Sequence, residues 1–364
     1  MLLTLLADLG HEVTLASRFR SYEGRGDPDA QRAIANAGDA EARRLIARYR
    51  RERAAAPELW FTYHLYHKAP DHLGPKLAAR LGIPYLVAEA STAAKQARGP
   101  WAAGFTASLE ALRRADLILA MTAQDAEGLR KCLGEGVAVR RLRPFLDPAP
   151  FAAAARRKTA LRRALVRELG LDPEIPLGLA VAMMRKDVKQ RSYRFLAEAL
   201  SRLDHPLQMV LVGDGPGREE VARWFANLPL RSRFLGRLSA TELPAVYAAC
   251  DLYLWPGFGE AYGMAYLEAQ AAGLPVVALN TAGVAEVVAE GVSGILVREE
   301  RPEAFAAAVR RLLDARRRKA AGAAAERHVR TRHGLDDARR TLAAALEDAI
   351  ANHRRREDHR RCGS

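Results

Sequence analysis

Two glutamates eight positions apart, Glu260 and Glu268, lie in the segment Trp-Pro-Gly-Phe-Gly-Glu-Ala-Tyr-Gly-Met-Ala-Tyr-Leu-Glu-Ala-Gln-Ala-Ala-Gly-Leu-Pro-Val-Val-Ala that ends at Ala278. An apolar run, Asp251–Trp255, reads as a strand entering a glycine-rich loop. A helix begins near Gly263, and a second strand follows Gly273-Leu-Pro. The glycines let backbone approach a ligand closely. The new helix offers unpaired N–H groups and the positive end of its dipole to an anion such as phosphate. If most of the spacing is helical, the two carboxylates are roughly 12 Å apart. That is about the reach of a sugar nucleotide from hexose to ribose. It is longer than the roughly 5–9.5 Å of the paired acids that hydrolyse glycosides. Spacing alone is weak, because Glu268 also fits a solvated helix position and Glu260 also fits an acid that complements the helix dipole. The strand–loop–helix–strand context makes it strong.

Other groups fall at turns of the same kind. Ala-Val-Ala-Met-Met-Arg-Lys-Asp-Val-Lys places Arg185 and Lys189 just after an apolar run, with Lys186 and Arg191 as rival cations. Leu-Val-Gly-Asp-Gly-Pro-Gly carries Gly213 and Asp214, where the aspartate also suits a helix cap. Phe-Leu-Gly-Arg-Leu carries Gly236, Arg237 and Leu238. In the first half, His64 and His67 follow an apolar run directly, and Glu89, Ser91 and Arg98 lie at or near the end of another.

The elements that would position these groups alternate short apolar runs with longer helical patterns, as in stacked βαβ units around parallel sheets. Strands are predicted at 11–16, 59–63, 84–88, 116–121 and 137–142. After a proline-rich linker at 143–151 they resume at 176–182, 208–212, 231–235, 251–255, 275–279 and 294–297. Helices are predicted at 29–50, 125–133, 192–203, 218–226, 240–249, 263–272 and 302–315, with a C-terminal helix over 335–353 that frays into a solvated basic tail. Ligands of such sheets bind at the carboxyl ends of the strands. The N-terminus reads as the end of a helix, Leu2–Leu9, capped by Gly10. The opening strand and glycine-rich turn usual in a doubly wound domain are missing. A start placed too far downstream accounts for this, and a truncated first domain is the alternative.

The chain resembles glycosyltransferase family 4 (glycosyl transferases group 1), the retaining transferases of the GT-B fold. The match is to their E-x7-E signature followed by Glu-Ala-x-Ala-x-Gly-x-Pro-Val-Val. It is close in the second half and looser in the first. The resemblance implies an α/β architecture of two doubly wound, Rossmann-like domains facing across a cleft, here with the N-terminal domain lacking its first strand. Residues 1–147 would form the acceptor-side domain and 148–334 the nucleotide-sugar domain. Residues 335–364 would pack back toward the first domain. It further implies that Glu260 holds hydroxyls of the donor hexose and Glu268 those of the ribose. Backbone N–H groups of Tyr262, Gly263 and Met264 would face hexose and phosphate. Arg185 and Lys189 would grip the diphosphate, as cationic donors aimed at developing charge should. Here the glycine after the family's lysine is missing and the spacing is four rather than five. Gly213 and Asp214 would line the donor site, Gly236, Arg237 and Leu238 would meet the base, and His64 would reach the hexose.

The expected reaction is retaining transfer of a hexosyl unit from a UDP- or GDP-sugar to a hydroxyl of a carbohydrate, lipid-linked or small-molecule acceptor. Cell-envelope polysaccharide synthesis is the expected setting. By the resemblance, the leaving phosphate itself takes the acceptor proton. The alternatives are another sugar-nucleotide enzyme of this fold, such as an epimerase or sugar-phosphate synthase, and a non-catalytic nucleotide-sugar-binding protein. No cofactor or metal is expected, since Cys132, Cys250 and Cys362 are scattered and no cysteine–histidine spacing suits zinc.

Composition is consistent with this. The chain has 364 residues, a length suited to two domains, with 49% hydrophobic and 27% charged residues. The net charge of +14 invites a nucleic-acid partner. That charge is diffuse, and only eight of 57 basic residues are lysine, as in an arginine- and alanine-rich chain from a GC-rich genome. An anionic nucleotide or an acidic membrane surface fits it better than nucleic acid. The N-terminus lacks the basic region of a signal peptide, and no run reaches the roughly 20 apolar residues of a membrane span. The expected location is the cytoplasm, with peripheral association at the inner membrane face.

Overall fold

Parallel strands covered on both faces read as apolar runs, as β-strands such as Leu117–Ala120 and Val276–Leu279 do, whereas Val139–Arg141 and Ser232–Gly236 carry arginines and are only half-buried. The computed structural model describes residues 1–281 and 283–362. These divide into two units, Met1–Arg143 with the segment from Ala338 onward, and Pro144–Asp337.

The first unit contains α1 (Leu2–Asp8), α2 (Pro28–Arg51), β1 (Trp60–Leu65), α3 (Gly74–Leu81), β2 (Tyr85–Ala90), α4 (Ala102–Arg114), β3 (Leu117–Ala120), α5 (Ala123–Leu133) and β4 (Val139–Arg141). Its four strands are parallel and lie in chain order. Asp27 caps α2 by accepting from Asp29 N, and Thr122 caps α5 through Asp125 N. The expected strand at 11–16 does not form. A strand exists only with a neighbour to share its ladder bonds. No sheet of the described residues includes this segment, and Val13 and Leu15 are exposed.

The second unit runs through α6 (Ala149–Ala155), α7 (Lys158–Leu169), β5 (Leu177–Val181), α8 (Val188–Leu200), β6 (Gln208–Val212), α9 (Arg218–Ala226), β7 (Ser232–Gly236), α10 (Leu243–Ala249), β8 (Leu252–Leu254), α11 (Met264–Ala271), β9 (Val276–Leu279), β10 (Gly294–Val297), α12 (Pro302–Leu313) and α13 (Ala315–Arg332). Its six parallel strands are ordered β10-β9-β8-β5-β6-β7. The order reverses between β5 and β8, the topological switch point at which ligands of open α/β sheets bind. The proline-rich stretch opens this unit. Leu146 N donates to His333 O (2.9 Å), and the His333 ring nitrogen Nδ1 contacts Pro144 O at 2.7 Å.

The last helix, α14 (Leu335–Cys362), carries the basic tail. The expected frayed end is instead helical, because its residues are anchored to the first unit at Asp116. Asn352 Nδ2 donates to Asp116 O (2.8 Å), and His353 and Arg356 meet its carboxylate at 3.2 and 3.5 Å. The same carboxylate accepts from the buried Tyr85 N–H (2.9 Å) at the start of β2. No helix of the described residues is long and apolar enough to cross a membrane.

Asp116→Ala removes the carboxylate that meets Tyr85 N–H, His353 and Arg356, leaving a buried N–H unpaired, while the Asn352 bond to the main-chain oxygen stays. It is expected to cost about 3 kcal/mol of stability, measured by urea denaturation. Amide exchange should rise over 350–362 before it rises in the sheet.

Candidate functional site

In the second unit, the chain leaves β8 through Trp255, whose N–H still donates to Val277 O (3.1 Å), and enters the loop Pro256–Gly263. Gly257, Gly259 and Gly263 all have left-handed φ, at 82°, 65° and 70°. Two of them also lack room for a side chain. A Cβ on Gly257 would sit 2.2 Å from Tyr266 Oη, and one on Gly263 would sit 2.6 Å from the Tyr266 ring. The loop therefore wraps a single buried phenol, which itself donates to Trp255 O (3.1 Å).

This loop delivers Glu260. Its Oε1 accepts from Trp255 Nε1 (2.9 Å) and forms an ion pair with Lys189 Nζ, both side chains being mostly buried. Lys189 comes from the first turn of α8, after β5. Asp187 caps that helix by accepting from Lys189 N (2.8 Å) and also pairs with Arg185 Nε (3.0 Å). Of the rival cations, Lys186 is exposed. Arg191 is turned to Glu300 (2.8 Å) and lies over the Phe258 ring (3.9 Å). A carboxylate and two cations thus stand on the two strands that flank the switch point.

The remaining residues extend from there. Tyr262, Gly263 and Met264 form the entry to α11, which has no side-chain cap, and the third amide of its first turn, Tyr266 N, turns back to Gly263 O (3.1 Å). Gly213 follows β6 in an extended left-handed conformation, and a Cβ there would lie 1.9 Å from Ala182 O. Its N–H donates to Gly236 O (2.7 Å), so the turns after β5, β6 and β7 are laced together. Asp214 does not cap α9. Its side chain accepts from Gly215 N (2.9 Å) and pairs with Arg218 at 3.6 Å. Arg237 is exposed beyond Gly236, with Leu238 half-buried. β7 is three strand spacings from β8, about 14 Å, so these groups line one strand-end face long enough for an extended ligand.

Glu268 sits in the second turn of α11. Tyr247 of α10, which sequence reasoning missed, donates its hydroxyl to Glu268 Oε2 (2.8 Å). Burial pushes the Glu268 carboxyl above its ordinary value, and the tyrosine bond partly opposes this. Three more buried tyrosines support the site from beneath. Tyr193 donates to Ala182 O and Tyr253 to Val181 O, at the end of β5, and Tyr266 holds Trp255 O. Only their buried, apolar positions were visible in the sequence, not these bonds.

In the first unit, His64 lies at the end of β1 beside Glu89 of β2, with Nδ1 3.4 Å from the carboxylate. This contact raises the His64 pKa against the opposing effect of burial. His67 points elsewhere, edge-on to Trp101, and its pKa is lowered by burial. It lines a small cavity of about 120 Å³ with Glu23, Gln31, Lys68 and His72. Ser91 N donates to Leu65 O (3.2 Å), and Arg98 is exposed.

Comparison with known proteins gives this geometry a context. The model of the family described as glycosyl transferases group 1 matches residues 176–315. The D-inositol 3-phosphate glycosyltransferase of Salinispora tropica is 31% identical over 318 residues, 80% of this chain and 65% of that protein. The chain thus spans just under two thirds of that relative's length. Among solved structures, a glycosyltransferase from Rickettsia africae ESF-5 superposes with a TM-score of 0.71 at 17% identity, covering 96% of this chain and 88% of that one. Anabaena Alr3699/HepE in complex with UDP and glucose gives 0.65 at 18% identity, covering 83% and 81%.

The Glu268 environment sets a pH dependence. Its folded pKa lies above the ordinary 4.5, so between the two values the native state binds more protons than the unfolded one. Stability therefore falls as pH rises through that window. Glu268→Gln keeps an acceptor for Tyr247 without the buried charge. It should raise the melting temperature at pH 7–8, and the gain should vanish as pH falls below 4.5.

Proposed function

We propose that this chain, which has the GT-B fold and matches the glycosyl transferases group 1 family over residues 176–315, transfers a hexosyl unit from a UDP- or GDP-sugar to an acceptor hydroxyl with retention at the anomeric carbon. The observation that carries this reading is the Glu260–Lys189 pair at the switch point of the second sheet. Hydroxyl donors on a sugar need a buried acceptor, and a diphosphate needs cations. The two are side by side only where a sugar joins its phosphate.

In this reading Glu260 accepts from hexose hydroxyls, and Lys189 and Arg185 take up the charge that develops on the departing nucleoside diphosphate. The N–H groups entering α11 around Tyr262, Gly263 and Met264 meet hexose and phosphate. Glu268 accepts from the ribose hydroxyls. Gly213 and Asp214 line the middle of the donor, and Gly236, Arg237 and Leu238 carry the base at the far strand. The bond from the anomeric carbon to phosphate oxygen breaks, and the bond to the acceptor oxygen forms on the same face. The acceptor proton passes to the departing phosphate, so no protein base and no metal is required. His64 enters this reading through the resemblance and through its own pairing with Glu89. The name of the Salinispora relative makes an inositol phosphate one acceptor to try.

Calorimetry with UDP and GDP and a thermal-shift screen of UDP-, GDP- and ADP-sugars test the proposal. Glu268→Ala is expected to weaken nucleoside diphosphate binding about 10- to 100-fold. Glu260→Gln should leave that binding intact while lowering kcat by about 100-fold or more. Proton NMR of the first-formed product should show the donor's anomeric configuration. Unchanged nucleotide affinity in Glu268→Ala would sink the assignment.

A further inference from the structure

Among the described residues, the non-glycine positions with positive φ are His64 (65°) and Glu89 (56°). They lie level with one another on adjacent parallel strands. The register pairs Tyr63 with Ala88 and Leu65 with Ala90, and the two kinked residues fall between. Left-handed backbone costs a residue with a side chain about 1–2 kcal/mol. Sites of such strain persist where the surroundings enforce them, and they cluster at functional positions. Here both kinks aim side chains at each other, bringing His64 Nδ1 within 3.4 Å of the Glu89 carboxylate. The His64 side chain is 52% exposed and that of Glu89 21%. The groups that face His64 are Glu89 from β2 and, from its own strand and turn, the Tyr63 and Tyr66 rings.

We propose that Glu89 is a positioning residue for His64 in the transfer reaction: it engages Nδ1–H, fixes the ring, and leaves the Nε2–H free to donate to a ligand oxygen. This rests on the transferase reading given above and adds to it the partner that sets the histidine's orientation and charge. A protonated His64 donates from both nitrogens, and its pairing with a carboxylate keeps it protonated to higher pH than an isolated imidazole.

Three measurements test the pair. NMR titration of the His64 imidazole in the substrate-free protein should move to lower pH in Glu89→Gln, and back toward wild type in Glu89→Asp. In turnover, Glu89→Gln should shift the alkaline limb of the kcat profile to lower pH and reduce kcat at pH 8 about tenfold, as for one lost bond to a charged group, with donor KM unchanged. Glu89→Gly relaxes the left-handed backbone, so its melting temperature should equal or exceed that of wild type while its kcat falls like that of Glu89→Gln. A His64 titration unmoved by Glu89→Gln overturns the pairing. Full activity with an unshifted profile in both variants overturns the role in transfer. Absence of transfer by the wild-type protein removes the transferase reading and the role of His64 with it, whereas the substrate-free titration still reports on the pair alone.

Discussion

The second unit is organised around one contact, Lys189 against Glu260. A mostly buried carboxylate is costly unless it is paired and hydrogen-bonded. Glu260 meets that requirement with an ammonium group from the helix after β5 and an indole N–H from the end of β8. The contact therefore ties together the two strands whose chain order reverses. It also sets the chemistry of the surface. A carboxylate beside an ammonium group offers a hydrogen-bond acceptor and a cation within one short span, which is what a hydroxyl adjoining a phosphate would use in the proposed reading. The supporting tyrosines reinforce the arrangement. Each donates a single bond to a strand-end carbonyl that would otherwise need water at the base of the site.

The architecture of this unit was legible because buried parallel strands are apolar along their whole length. Met209–Val212 and Val276–Leu279 announce themselves, and the glycine loop between strand and helix fixes the site by composition. The first unit was less legible. The segment 11–16 carries the pattern of a strand, but a pattern specifies a face and not a neighbour, and no sheet takes it up. The basic tail failed in the opposite direction. Its residues 352–361 have the composition of a solvated end, yet Asn352, His353 and Arg356 lie on one helical face and meet Asp116, a contact 236 residues distant in sequence that no local signal carries.

Within the site, residue types were readable and partners were not. Lys186, Lys189 and Arg191 were equivalent as letters. Asp187 separates them, because capping α8 at that position fixes the rotation of the helix. Lys189 then faces Glu260. Arg191, two residues and about 200° further round, faces Glu300 instead. The Tyr247–Glu268 bond spans 21 residues and joins two helices, α10 and α11, whose relative placement is set by the sheet. The missed features share this property: they depend on the phase of one element relative to another.

Beyond the ordinary turn glycines that both units have, left-handed backbone at the strand ends is handled differently in the two. In the second, Gly213, Gly257, Gly259 and Gly263 take the left-handed positions around the strand-end loops. Glycine removes the strain but contributes no side chain, so at these positions the loops offer their amides and the space left by a missing Cβ, while neighbours such as Glu260 supply the side chains. In the first, the corresponding conformations fall on a histidine and a glutamate, where glycine would be easier to accommodate. A strained residue with a side chain is retained most readily where that side chain is needed at that angle. The backbone thus leaves the strand-end loops of the second unit open to close approach by main chain, and holds the side chains of His64 and Glu89 at a fixed angle to one another.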